Sequence, residues 1–171
     1  AENFFYQQKY ELSKKIYNFL NSIGPVYSWY VSINLAIILA DVENKEHTGF
    51  DLENEYNLLL NPDLEHNYKL ANFFNEREYY EKSIKYYSIA LQNIKKKHFL
   101  FPKILDRRGT SYERIGDWDN AEKDLKESLR ILPDQAHVLN YLGYSWIDRG
   151  INIDKALEMI KIGRASCRER V

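Results

Sequence analysis

Residues 102–135 read PKILDRRGTSYERIGDWDNAEKDLKESLRILPDQ, and they decide the fold. Gly109 and Tyr112 are followed by Ala121, Leu125 and Pro133. Gly143 and Trp146 repeat the first two 34 residues further on, and Ala156 follows in the same order. The residue types explain themselves as packing. Gly109 and Ala121 are small, so two helices can approach closely, and Tyr112 fills the space beside them. Leu125 lies four after Ala121, on the same helix face. Gly116 can end the first helix and Asp117 can cap the second. Pro133 lacks the amide donor and disfavours helix in the residue before it, so it stops the second helix.

A 34-residue period with small, aromatic, small and Pro in this order resembles the tetratricopeptide (TPR) repeat. The resemblance implies an all-α fold, a right-handed superhelical solenoid of antiparallel helix hairpins, each made of a helix A and a helix B. Laid along the chain, it gives a partial repeat at 1–27, mainly helix B. A divergent repeat at 28–63 and a repeat at 64–101 follow. The best match is 102–135, and a truncated repeat occupies 136–161. Upstream copies are weaker, but Pro25 falls twelve after Ser13, as Pro133 falls twelve after Ala121.

In chain order, helix B of the first unit carries Leu12, Ile16 and Phe19 at helical spacing. Residues 28–42 and 50–60 form the next pair, joined by a polar connection. Residues 64–75 form a helix A with Leu70, Ala71 and Phe74. Residues 80–97 form a helix B with Ser83, Tyr87 and Ala90, so Lys95, Lys96 and Lys97 read as a solvated helix end whose cations complement the dipole, the alternative being a site for an anionic partner. Arg108 takes a site that is usually apolar, where its stem can pack while its head reaches water. In the last repeat Asn152 is the expected cap, and Ile153, Ala156, Leu157 and Ile160 are the expected inward face. The run from Leu139 to Trp146 resembles TPR proteins of alphaproteobacteria, and the Asn, Lys, Ile and Tyr bias suggests an A+T-rich genome.

The two ends carry their own signals. The start lacks Met and shows no signal peptide, which suggests a fragment beginning inside a helix. Residues 162–171, IGRASCRERV, resemble a translated sequencing adapter and are set aside from the functional reading. They hold the only cysteine, Cys167, so neither a disulfide nor cysteine catalysis is expected elsewhere. They also carry a net +2. The whole 171-residue chain is formally −1, leaving −3 for the remainder. Neither value favours nucleic acid or an anionic membrane as a general partner. There is no apolar run of about 18 residues, so no membrane-spanning insertion is expected.

Chemistry is sparse. The four histidines, His47, His66, His98 and His137, form no pair at metal-ligand spacing, and no phosphate loop, dinucleotide motif or nucleophile elbow occurs. The expectation is no catalytic residue, no metal and no cofactor. TPR proteins bind peptides mainly on the concave side, which the helix A residues rotated from the packing stripe line. Mapped here, the candidate groove is Trp29, Tyr68, Asn72, Lys103, Asp106, Thr110, Arg114, Asn140 and Tyr144, with His137 and Glu113 beside them. This floor of aromatics, amides and both charge signs suits an extended or helical peptide. It departs from the Lys/Asn/Arg clamp that grips a C-terminal carboxylate, so no such ligand is implied. The resemblance therefore implies a non-catalytic scaffold or adaptor for a protein or peptide partner. The alternative is the recruiting arm of an enzyme whose catalytic domain lies outside these residues. The compartment stays open between cytoplasm and periplasm.

Overall fold

The computed structural model describes residues 10–23, 33–34, 56–57 and 62–168. The expected helices at 28–42 and 50–60 lie almost wholly outside that range, and Trp29 lies outside it. Among the described residues the helices are α1 (Tyr10–Ile23), α2 (Leu64–Glu76), α3 (Tyr80–Gln92), α4 (Leu100–Arg114), α5 (Trp118–Ile131), α6 (Ala136–Asp148) and α7 (Ile153–Arg168). No strand occurs among them. The chain divides into two compact units, Ala1–Glu78 and Tyr79–Val171.

In the first unit, Ser13 of α1 is fully buried, as its small-residue role requires, whereas Leu12 and Phe19 are exposed, contrary to the expected stripe. A capping box starts α2: the Asp63 carboxylate accepts from the His66 amide at 3.0 Å, and the His66 ring faces the Asp63 amide. Leu70, Ala71, Phe73 and Phe74 are buried behind it. Buried Asn67 is satisfied on both sides, donating to the Asp63 carbonyl and accepting from the Tyr56 hydroxyl at 2.6 Å. Glu78 ends this unit at φ 64°. It lies seven residues after Ala71, the spacing that separates Gly109 from Gly116, so it occupies the left-handed turn position without glycine's freedom.

The second unit is built from hairpins. α4 packs on both α3 and α5, and α6 packs on both α5 and α7. Helix α4 ends in a Schellman turn: the Gly116 amide (φ 82°) donates to the Glu113 carbonyl and the Asp117 amide to Tyr112, each at 2.9 Å. Gly150 (φ 66°) and Ile151 repeat that turn on Ile147 and Trp146. Asp117 then caps α5 by accepting from the Asn120 amide at 3.3 Å. At the longer second turn Asn152 takes φ 47°, and its carbonyl accepts the first bond of α7, from Ala156 at 2.8 Å.

Close approach follows at the small residues. A Cβ on Gly109 would stand 3.0 Å from Leu125 Cγ and 3.2 Å from the Ala121 carbonyl; on Gly143 it would stand 2.8 Å from Ile160 Cγ1 and 3.0 Å from the Ala156 carbonyl. One apolar cluster continues across α5, α6 and α7, joining Leu125, Val138, Leu139, Leu142, Trp146, Ala156 and Met159. Buried serines fill other small sites. Ser83 donates to Ser111 across α3 and α4 at 2.9 Å, and Ser128 donates to the Pro102 carbonyl at 2.8 Å.

Three expectations are corrected. Helix α3 stops at Gln92, so Lys95, Lys96 and Lys97 lie beyond it, in the connection to α4. The inward face of α7 is Ala156, Met159, Ile160 and Gly163, following the i, i+3, i+4, i+7 rule, while Ile153 and Leu157 (56% exposed) point away. That helix runs on to Arg168. Finally, the head of Arg108 is held by protein partners rather than left to water alone, with the side chain 19% exposed. It grips Asp124 of α5 with two bonds, 2.6 and 2.9 Å, and donates a third to Ser88 of α3 at 3.0 Å. Asp124 is only 4% exposed, so this charge-assisted pair ties three helices in a largely buried place.

Breaking such a pair strands a charge, whereas replacing both members with apolar groups often costs little. Asp124→Ala should therefore lower unfolding stability by about 3 kcal/mol. Joint replacement, Arg108→Leu with Asp124→Leu, should recover most of it. Urea denaturation of the three proteins checks this, and an additive loss would show that the two side chains act separately.

Candidate functional site

The candidate site is the outward face of the helix A elements. On α4, Lys103 is exposed, and Arg114 is exposed with its Nε 3.9 Å from Glu113. Thr110 spends its hydroxyl on the Asp106 carbonyl at 3.0 Å, an i−4 bond within its own helix. The Asp106 side chain is mostly buried, and its Oδ1 accepts no hydrogen bond.

Helix α6 meets this face through side chains. His137 Nδ1 stands 3.6 Å from Asp106 Oδ1, beyond hydrogen-bond length but within ion-pair reach. Its ring lies nearly parallel to Tyr141, 6.0 Å away. The Tyr141 hydroxyl donates to Glu113 at 2.8 Å. Burial, reinforced by the Glu113 carboxylate, pushes the Tyr141 phenol well above the ordinary tyrosine range, so it remains a donor. The Asp106 carboxylate raises the His137 pKa against the opposing effects of burial and of Arg107. Two bridges thus join α4 to α6, one on each side of the ring stack. Sequence reading placed His137, Asp106 and Glu113 on this face but missed Tyr141, which sits one position from the chosen stripe. Its spacing of four from His137 was the available signal.

The remaining choices divide. Tyr144 is 46% exposed and accepts at its hydroxyl from Arg164 of α7, at 2.9 Å. Asn140 is half-buried on α6, its Oδ1 buried without a hydrogen bond against the close approach of Gly163. A side chain four residues before Tyr144 can share its face in sequence and still be drawn inward, because glycine opposite leaves room for it. Tyr68 and Asn72 lie half-buried on α2 in the first unit. Among the described residues, no group of three or more His, Cys, Asp or Glu stands together to hold a metal, and no helix is long and apolar enough to cross a membrane.

No protein-family model and no curated protein matches the chain. Solved structures do. A crystal structure of MamA is similar over 98% of this chain and 94% of its own, with a TM-score of 0.76 at 13% identity. A crystal structure of YrrB, described as a TPR protein with an unusual peptide-binding site, is similar over 97% of this chain and 82% of its own, with a TM-score of 0.70 at 14% identity. The fold is that of a TPR solenoid. The Cut9–Hcn1 assembly contains the same fold over 97% of this chain and 32% of the matched one, with a TM-score of 0.70 at 15% identity. At these identities the likeness speaks for the backbone architecture, and residue roles rest on the geometry above.

The His137 bridge has a definite pH signature. Its folded pKa is raised above the unfolded value near 6.5, so its contribution is complete below that value and is lost as pH rises through the folded pKa. The melting-temperature gap between the unmodified chain and His137→Gln should be larger at pH 5.5 than at pH 8. An equal gap at both pH values would remove the ion pair.

Proposed function

We propose that this chain is a non-catalytic interaction scaffold that holds a peptide segment of a protein partner along its helix A faces. In the second unit the contact residues are Lys103, Asp106, Thr110 and Arg114 of α4, with His137 and Tyr144 of α6. Tyr68 and Asn72 are the corresponding proposal for the first unit, and Trp29 belongs to the same proposal on sequence grounds. Asn140, half-buried on α6, belongs to the same proposal.

The observation that carries this reading is the exposed aromatic Tyr144, standing with exposed Lys103 and Arg114 on helices whose opposite faces are buried. A rigid backbone that displays both charge signs and an aromatic can hydrogen-bond an extended chain and pack its side chains at little ordering cost. The TPR fold supports the same reading, since a solenoid exposes long surfaces built from successive hairpins. The absence of a partner-specific clamp leaves the peptide's sequence open.

A displayed peptide library selected on the full chain tests the proposal. Selected peptides should lose about tenfold or more in affinity on Tyr144→Ala combined with Arg114→Ala, equivalent to at least about 1.4 kcal/mol, with far-ultraviolet circular dichroism unchanged. Undiminished affinity in that variant would move the binding surface off this face.

A further inference from the structure

From the end of α3 into the first turn of α4 the sequence runs NIKKKHFLFPK over residues 93–103, with four lysines and no Asp or Glu, in a chain whose formal charge is −1. A lysine run at a helix C-terminus is ordinarily explained by the helix dipole. Here α3 ends at Gln92 with no basic residue in its last turn, so the lysines lie past the helix itself. The lysines instead surround a projecting aromatic. Phe99 is 69% exposed, the highest value among the exposed large hydrophobic side chains of the described residues.

Its exposure is built in. The His98 amide donates to the Lys95 carbonyl and the Phe101 amide to the His98 carbonyl, both at 2.9 Å, while the Leu100 amide donates to His98 Nδ1 at 3.2 Å. These bonds fix the turn with Phe99 outward. The Phe99 ring stacks on His98 at 4.8 Å, and the Lys103 ammonium lies over it at 5.9 Å. Lys95 and Lys97 are exposed beside it. Lys96 approaches Glu127 at 3.4 Å, but Arg130 already gives that carboxylate two bonds of 2.7 and 2.8 Å. The patch therefore keeps a positive surplus around an apolar tip.

We propose that this turn is a peripheral docking point for an anionic lipid surface. Phe99 enters the headgroup–acyl boundary while Lys95, Lys97 and Lys103 remain among the phosphates and carboxylates. Charge complementarity selects an anionic occupant, and the make-up of the patch selects lipid among the anionic classes. Lysine is depleted in protein–protein interfaces, whereas clustered lysines beside an apolar residue suit a lipid interface. Single-stranded nucleic acid is held by several aromatic side chains that stack successive bases, and this turn exposes Phe99 while Phe101 is only 8% exposed. The whole-chain charge does not reveal this site, because acidic residues elsewhere cancel a patch that acts within about one Debye length, roughly 10 Å.

Flotation of the full chain with vesicles tests it, using phosphatidylcholine alone and phosphatidylcholine mixed two-to-one with phosphatidylserine. The chain should float with the phosphatidylserine vesicles, remain behind with the neutral ones, and lose binding as salt rises. Lys95→Gln and Lys97→Gln should each weaken binding about fivefold, and Lys97→Arg should preserve it. Phe99→Ser should weaken it at every salt concentration, and circular dichroism should show all four variants folded. Failure of the unmodified chain to float, or binding indifferent to these substitutions, overturns the proposal. So does binding to polyglutamate or to a single-stranded RNA oligomer that matches or exceeds binding to the vesicles.

Discussion

Everything in the second unit depends on how closely two helices can approach at one glycine. At Gly109 the neighbouring Leu125 side chain and Ala121 carbonyl occupy the space a Cβ would need, and Gly143 repeats the contact with Ile160 and Ala156. Removing a side chain costs helix propensity, about 1 kcal/mol relative to alanine. The return is dispersion and apolar burial along the whole hairpin, since interaxial distance sets how many side chains can interlock. The Schellman turns at Gly116 and Gly150 then aim the second helix back along the first, so turn and close contact specify the same geometry twice.

Polar groups fix what apolar packing leaves loose. An apolar seam tolerates sliding, but Arg108 and Asp124 with Ser88 have one arrangement that satisfies them, and it involves α3, α4 and α5 together. Gln135 performs a similar task at the next junction, where its amide donates to Ser128 Oγ at 2.9 Å and to the Leu132 carbonyl at 3.0 Å. On the outer face the Tyr141–Glu113 and His137–Asp106 bridges connect α4 and α6 through groups that remain partly hydrated. The inner connection sets stability and specificity of packing, and the outer one shapes a surface that a ligand can meet.

Much of this was legible in the sequence because the repeat is a steric code. Gly, Ala, Pro and the turn Asp act through size and backbone geometry, which do not depend on distant neighbours, so Gly109, Ala121, Gly116 and Asp117 could be read directly. Side chains whose role depends on a partner could not. Arg108 looked like a snorkelling surface residue because Asp124 lies sixteen residues away on another helix; a charge on each of two packing stripes was the clue. Glu78 hid a left-handed turn because the position was recognised by glycine, and glutamate met the backbone demand instead. The inward turn of the Asn140 oxygen was hidden for the reverse reason, since it depends on the room that Gly163 leaves. Leu157 misled because hydrophobicity alone does not locate a face when the true stripe includes Met159 and Gly163.

The measurement that tests this most directly is the stability of Gly143→Ala, followed by urea denaturation. Helix propensity alone predicts stabilisation by about 1 kcal/mol. The close contact predicts the opposite sign, because the new methyl would stand 2.8 Å from Ile160 Cγ1 and 3.0 Å from a backbone carbonyl that cannot swing away. A net loss of stability is the expected result. A gain would mean that the α6–α7 helices can separate without cost, and that glycine is not what sets the hairpin.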